Sequence, residues 1–202
     1  MSDLYRTPAR HAQTELREKG SRFIAEVFVV ESPEEAEERI AAVRRREYAA
    51  THHCTAYRTG TDGTTFRYND DGEPSGTAGI PILRQIDARG LTQTLVVVTR
   101  YFGGTKLGTG GLARAYGAAA SEALDAAGTV EREIRTALRI AFAYDDTAAA
   151  MHVINRFDGR IEASEYSDRT VLTVTVRRSA VDTFQAAIVE ALAGRGEIGV
   201  NV

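Results

Sequence analysis

Cysteine is nearly absent from this chain. Cys54 stands alone, so no internal disulfide can form and no cysteine-rich zinc site can be assembled, which suits a reducing compartment. Long apolar runs are missing as well. The longest, such as Leu95 to Val98, fall far short of the roughly 20 residues that span a bilayer. The opening MSDLYRTPARH has no apolar signal-peptide core. A cytoplasmic protein without membrane association is therefore expected. An excess of positive charge is also lacking: the formal net charge is −3, which argues against a surface that grips nucleic acid everywhere and confines any anion site to a local patch. Lysine occurs only at Lys19 and Lys106, the other cations being arginine. Codon bias in a GC-rich genome and phosphate recognition by arginine's planar fork both account for that. With 202 residues, 43% of them hydrophobic and 26% charged, the chain can fill one large or two small cores, and neither disorder nor a repeat array is indicated.

The pattern changes character near Gly128, which divides the chain into expected domains 1–128 and 129–202. In the first, Ala12, Thr14 and Leu16 alternate as a strand, Lys19-Gly20 turn, and Phe23, Ala25, Val27 and Val29 alternate again, predicting a hairpin. Ser32, Pro33 and Glu35 open a helix expected to run to about Arg46. Strands follow at 52–58 and 65–68, a helix at 82–88, a buried strand at 94–99, and a small-residue helix over 111–127 that Gly128 stops. Residues 129–135 read as a connection. Beyond it, a strand at Leu138 to Phe142, a helix capped by Asp146 and ended by Gly159, strands at 161–166 and 171–176, a helix starting at Ser179 and a last strand from Ile198 to Val202 give the order βαββαβ, the ferredoxin-like arrangement. Both domains are α+β.

Two loops could carry chemistry. Residues 69–81, NDDGEPSGTAGIP, hold Asp70, Asp71 and Glu73 among glycines and prolines that forbid a regular element. Clustered carboxylates suit a magnesium site or an acid/base pair, or they accept backbone N–H bonds in an Asp-Gly turn. Residues 100–117, RYFGGTKLGTGGLARAYG, combine Arg100, Lys106 and Arg114 with Gly103, Gly104, Gly108, Gly110 and Gly111, and contain no acid. Glycine amides and a helix start favour phosphate or another anion, while close packing of loop and helix is the structural alternative. A Walker A loop is excluded because Thr109 follows Gly108 where lysine is required. A nicotinamide or flavin cofactor is not expected, because no acidic residue ends a second strand at the required distance. In ATHHCTAYR, residues 50–58, His52 and Cys54 share one strand face and His53 the other, so they cannot bind one metal together without a bulge. A metal would need a further ligand such as His11 or His152; the other readings are His52 or His53 holding the acidic loop or sharing a proton with it, and ordinary packing. Tyr57, Ser75 and Thr77 are further supporting candidates, and no catalytic residue is assigned.

These blocks resemble the Impact/YigZ family: KGSRFIA, ATHHCTAYR, NDDGEPSGTAGIPIL and VVVTRYFGGTKLGTGGLARAYGAA occur in the family's order and spacing over roughly residues 19–127. The resemblance implies an N-terminal domain like the second domain of ribosomal protein S5 and a C-terminal domain like the ferredoxin-like fifth domain of elongation factor G. It also implies a role in translation control, since eukaryotic relatives restrain the amino-acid-starvation kinase by competing for its activator. The expected function is a translation-associated regulatory protein that binds RNA or the ribosome through the glycine-rich basic loop, with a protein partner in translation control as a further possibility. The alternative is a magnesium-dependent enzyme acting on a phosphorylated small molecule or nucleotide.

Overall fold

The computed structural model describes residues 3–200. They form two compact units, residues 5–132 and residues 133–200 together with 3 and 4.

In the larger unit, β2 (Ala12–Glu18), β3 (Ser21–Val29), β4 (His52–Thr59), β5 (Thr65–Asn69) and β6 (Thr94–Tyr101) build one sheet in the order β2-β3-β6-β4-β5. Every neighbouring pair in it is antiparallel. The period-2 alternation of β3 and β4 places Phe23, Ala25, Val27, Cys54 and Ala56 on one face. Two helices cover that face, α2 (Gly79–Ala88) and α3 (Gly108–Ala127). The opposite face carries Tyr57, Leu95 and Val97 against α1 (Pro33–Arg46). Central β6 is apolar without alternation because both of its sides are buried. Ser32 caps α1 through its hydroxyl, which accepts the Glu35 N–H at 3.2 Å, and Pro33 occupies the first turn, where a missing N–H costs nothing. Burial of Ile40 and Val43 on this helix contributes roughly 1.5–3 kcal/mol each, and Ser32→Ala would cost about 1 kcal/mol.

Three boundaries depart from the expected ones. Residues 129–133, read as part of a connection, form strand β7 (Thr129–Glu133), which pairs with β1 (Leu4–Pro8), a strand not anticipated at all. α2 begins at Gly79 instead of Ile82, and α3 at Gly108 instead of Gly111.

The smaller unit runs β8 (Arg135–Phe142), α4 (Thr147–Arg156), β9 (Arg160–Tyr166), β10 (Thr170–Arg177), α5 (Val181–Ala191) and β11 (Glu197–Val200). Its antiparallel sheet has the order β11-β8-β10-β9, the ferredoxin-like arrangement of βαββαβ. Leu138, Ile140, Phe142, Leu172 and Val174 meet Val153, Ile154, Phe184 and Ile188 from the helices. The expected caps act otherwise. Asp146 makes no capping bond and pairs with Arg195 at 2.6 Å; Ser179 lies in a 3-10 turn ahead of α5 and binds Asp3. After α4 it is Asp158 that takes the left-handed φ of 52°. Gly159 is needed for closeness, since a Cβ there would sit 2.8 Å from Ile154. Val202 lies outside the described residues.

Candidate nucleic-acid interface

The acidic loop leaves β5 and turns back into α2, and its three carboxylates point to three separate sets of partners. Asp70 accepts the N–H groups of Gly76 (2.8 Å), Ala78 (3.0 Å) and Gly79 (2.8 Å), and so serves as the missing cap of α2. Asp71 takes a left-handed φ of 45° and accepts Arg44 at 2.7 Å and the His53 N–H at 2.7 Å. Glu73 is buried and accepts Arg100 at 2.6 Å and the Tyr116 hydroxyl at 2.7 Å through one oxygen. Each of the three carboxylates thus has at least one oxygen engaged by the protein's own donors. Among the described residues no group of three or more His, Cys, Asp and Glu side chains is placed to hold a metal ion.

Both histidines of β4 brace this loop. His52 Nδ1 lies 2.8 Å from the Asp71 carbonyl. A carbonyl only accepts, so Nδ1 carries the proton. By the same reasoning His53 Nε2 donates to the Glu47 carbonyl at 3.1 Å. Cys54 donates its S–H to the Asp70 carbonyl at 3.1 Å, and burial, with the negative charges of Glu73, Asp71 and Asp70 nearby, pushes its thiol up to about 12 in pKa. Burial, reinforced by neighbouring Cys54, likewise raises the Tyr116 phenol above its ordinary value. A thiol held protonated in this way is a packing group, not a nucleophile. Of the other supporting candidates, Tyr57 faces α1 across the sheet, Thr77 is buried and closes a turn onto the Pro74 carbonyl, and Ser75 is exposed.

The glycine-rich stretch divides into a buried and an exposed part. Arg100, expected among the anion-binding groups, is only 4% exposed; it lies between the Phe23 and Phe102 rings and is committed to Glu73. Gly103 packs on the β2-β3 turn, where a Cβ would fall 1.9 Å from the carbonyl carbon of Gly20. Gly104 and Gly108 take φ of 86° and 70°, and a Cβ on either would meet open space. From Gly108 the chain enters α3 with no side-chain cap and no acid in the first turn. The leading amides at Gly108, Thr109 and Gly110 therefore carry the positive end of the helix dipole toward an exposed surface.

Lys106 and Arg114 are exposed on either side of that helix start, and neither has an ion-pair or hydrogen-bond partner among the described residues. The same holds for two cations the motif reading did not single out. Lys19 and Arg114 line one cavity of about 280 Å³, and Arg84 and Arg114 line a second of about 320 Å³. Lys19 was legible only as a turn residue, because its approach to α3 comes from the contact between Gly20 and Gly103. No helix among the described residues is long and apolar enough to cross a membrane.

A family profile for the Impact N-terminal domain matches residues 19–124, and one for a domain of unknown function (DUF1949) matches residues 140–195. The chain is 35% identical to the IMPACT family member YvyE of Bacillus subtilis over 96% of this chain and 89% of that one. It is 34% identical to the IMPACT family member YigZ of Escherichia coli over 85% of each. A solved structure described as that of an hypothetical protein superposes with a TM-score of 0.74 at 30% identity, covering 100% of this chain and 98% of the other. Two profiles in the order of the two folded units, together with relatives alike over nearly the whole length, place the chain in the Impact family.

Proposed function

We propose that this protein is a translation-associated regulatory factor that binds RNA, free or in the ribosome, through the exposed cations around the start of α3. One observation carries the reading: among the described residues Lys19, Arg84, Lys106 and Arg114 make no ion pair, and Lys19, Arg84 and Arg114 line two neighbouring cavities, while the acids of the 69–81 loop are engaged by Arg44, Arg100 and backbone amides. A positive patch of this kind, with uncapped helix amides beside it, is complementary to phosphate. The likeness to the second domain of ribosomal protein S5 and the fifth domain of elongation factor G that the sequence blocks imply points the same way by fold analogy.

Filter binding of unrelated single-stranded RNAs by the full chain tests it. Lys106→Ala with Arg114→Ala should weaken binding of every sequence alike, because phosphate contacts carry no base information. Unchanged affinity in the double variant would remove the loop from the interface.

A further inference from the structure

Beside the start of α3 lies the cavity of about 280 Å³ whose chemistry differs from that of a plain phosphate patch. Its floor is apolar: Leu16 of β2 and Leu107 ahead of α3, both half-buried against the core, with buried Ala115 between the charged walls. Its rim is charged by Glu18, Lys19 and Arg114. Opposite charges line the same cavity, yet none of the three makes an ion pair among the described residues. Their mounts are firm. Glu18 ends β2 in register with Ser21, and the turn between them is pinned because Gly20 packs directly on the Gly103 backbone. Arg114 stands on the first turns of a 20-residue helix.

We infer that this cavity seats one unstacked guanine of a single-stranded RNA, with Glu18 reading the base and Lys19 and Arg114 holding the flanking phosphates. The inference rests on the RNA reading above and adds base specificity to it. The volume lies below the roughly 300–1,000 Å³ of drug-sized ligand sites and suits a single base. A base presents a flat apolar face to Leu16, Leu107 and Ala115, and unstacked bases are the ones proteins read on their Watson–Crick edges. An ionised carboxylate only accepts hydrogen bonds. Guanine offers it two parallel donors, N1–H and the N2 amino group. Adenine and cytosine present one amino group flanked by an acceptor nitrogen, and uracil presents a single imino N–H between two carbonyl oxygens. Glu18 therefore matches guanine in a bidentate fashion and repels the other three edges in part.

Uridine nonamers with one central guanine, adenine or cytosine, titrated against the full chain at fixed salt, test the inference. The guanine strand should bind about tenfold tighter than the all-uridine strand, the size expected of one good bidentate base contact. Glu18→Gln should bring the guanine strand down to the all-uridine value. Ala118→Leu, at an exposed position lining the cavity, should do the same by obstructing the seat. Equal binding of all nonamers, still weakened by Lys106→Ala with Arg114→Ala, would overturn the guanine seat and leave the phosphate face standing. No binding of any nonamer would overturn both. A guanine preference that survives both Glu18→Gln and Ala118→Leu would move the base elsewhere, and free guanosine monophosphate binding as tightly as the nonamer would overturn the assignment to an RNA strand.

Discussion

Replacing Glu73 by alanine leaves a guanidinium without its counter-charge in the core. The Glu73 and Arg100 side chains are 4% and 5% exposed, so solvent screens neither. Removing one member of a buried pair costs about 3–5 kcal/mol, most of it the penalty of the charge left behind. The Tyr116 hydroxyl loses its acceptor in the same change, a loss of about 1–3 kcal/mol taken alone. Both bonds end on one Glu73 oxygen, so the two costs overlap and a total near the upper end of about 3–5 kcal/mol is expected. Urea unfolding of the full chain followed by circular dichroism measures it as a fall in midpoint at constant slope. Replacing the whole cluster together, Glu73→Leu with Arg100→Met and Tyr116→Phe, removes every stranded group and should recover most of the loss. A cost below about 1 kcal/mol for Glu73→Ala, or no recovery in the triple variant, would refute the description of a desolvated pair.

The glycines of the basic loop should respond unequally. Gly103→Ala sets a Cβ against the Gly20 backbone and should cost roughly 1–3 kcal/mol, whereas Gly110→Ala, whose Cβ meets only Arg114 at 3.6 Å, should raise stability by up to about 1 kcal/mol in the same urea assay. Cys54 should resist iodoacetamide in the native chain at about pH 8 and react once urea unfolds it; rapid native labelling would contradict a thiol raised to about 12. In the smaller unit, Arg135, Arg195 and Arg169 hold Glu133, Asp146 and Glu197 respectively below their ordinary values. Depressed carboxylates stabilise fully above those ordinary values, 4.5 for Glu and 3.8 for Asp, and the contribution is lost as pH falls through the lowered ones. Melting temperature should therefore fall on acidification below about pH 4.5, and less steeply in Arg195→Ala.

Elements set by local rules were legible. Ser32, Pro33 and Glu35 define the start of α1 within four residues, and the alternation in β3 and β10 assigns their buried faces without help from the rest of the chain. Elements set at a distance were not. α2 starts early because Asp70, nine residues before Gly79, caps it across a loop. α3 starts early because Leu107 packs into the core at the cap position and carries the glycines into the helix against their propensity. Asp146 and Ser179 have the composition of caps, but Arg195 and Asp3 claim their side chains. The site shows the same limit. The sequence reveals three acids and three cations in two loops; which of them pair depends on strand register, since β4 and β6 set His52 beside Arg100 and bring Glu73 between them. Local sequence cannot distinguish buried Arg100 from exposed Arg114.

The salt dependence of single-stranded RNA binding tests the unpaired cationic face most directly. Each phosphate contact to a single strand contributes about 0.7 to the log-log slope. Replacing Lys19, Arg84, Lys106 and Arg114 together by alanine should therefore flatten the slope by up to about 2.8, while leaving the urea midpoint nearly unchanged, because exposed, unpaired charges contribute within about 0.5 kcal/mol each. A slope identical to that of the parent chain would contradict the account and place the interface on another surface.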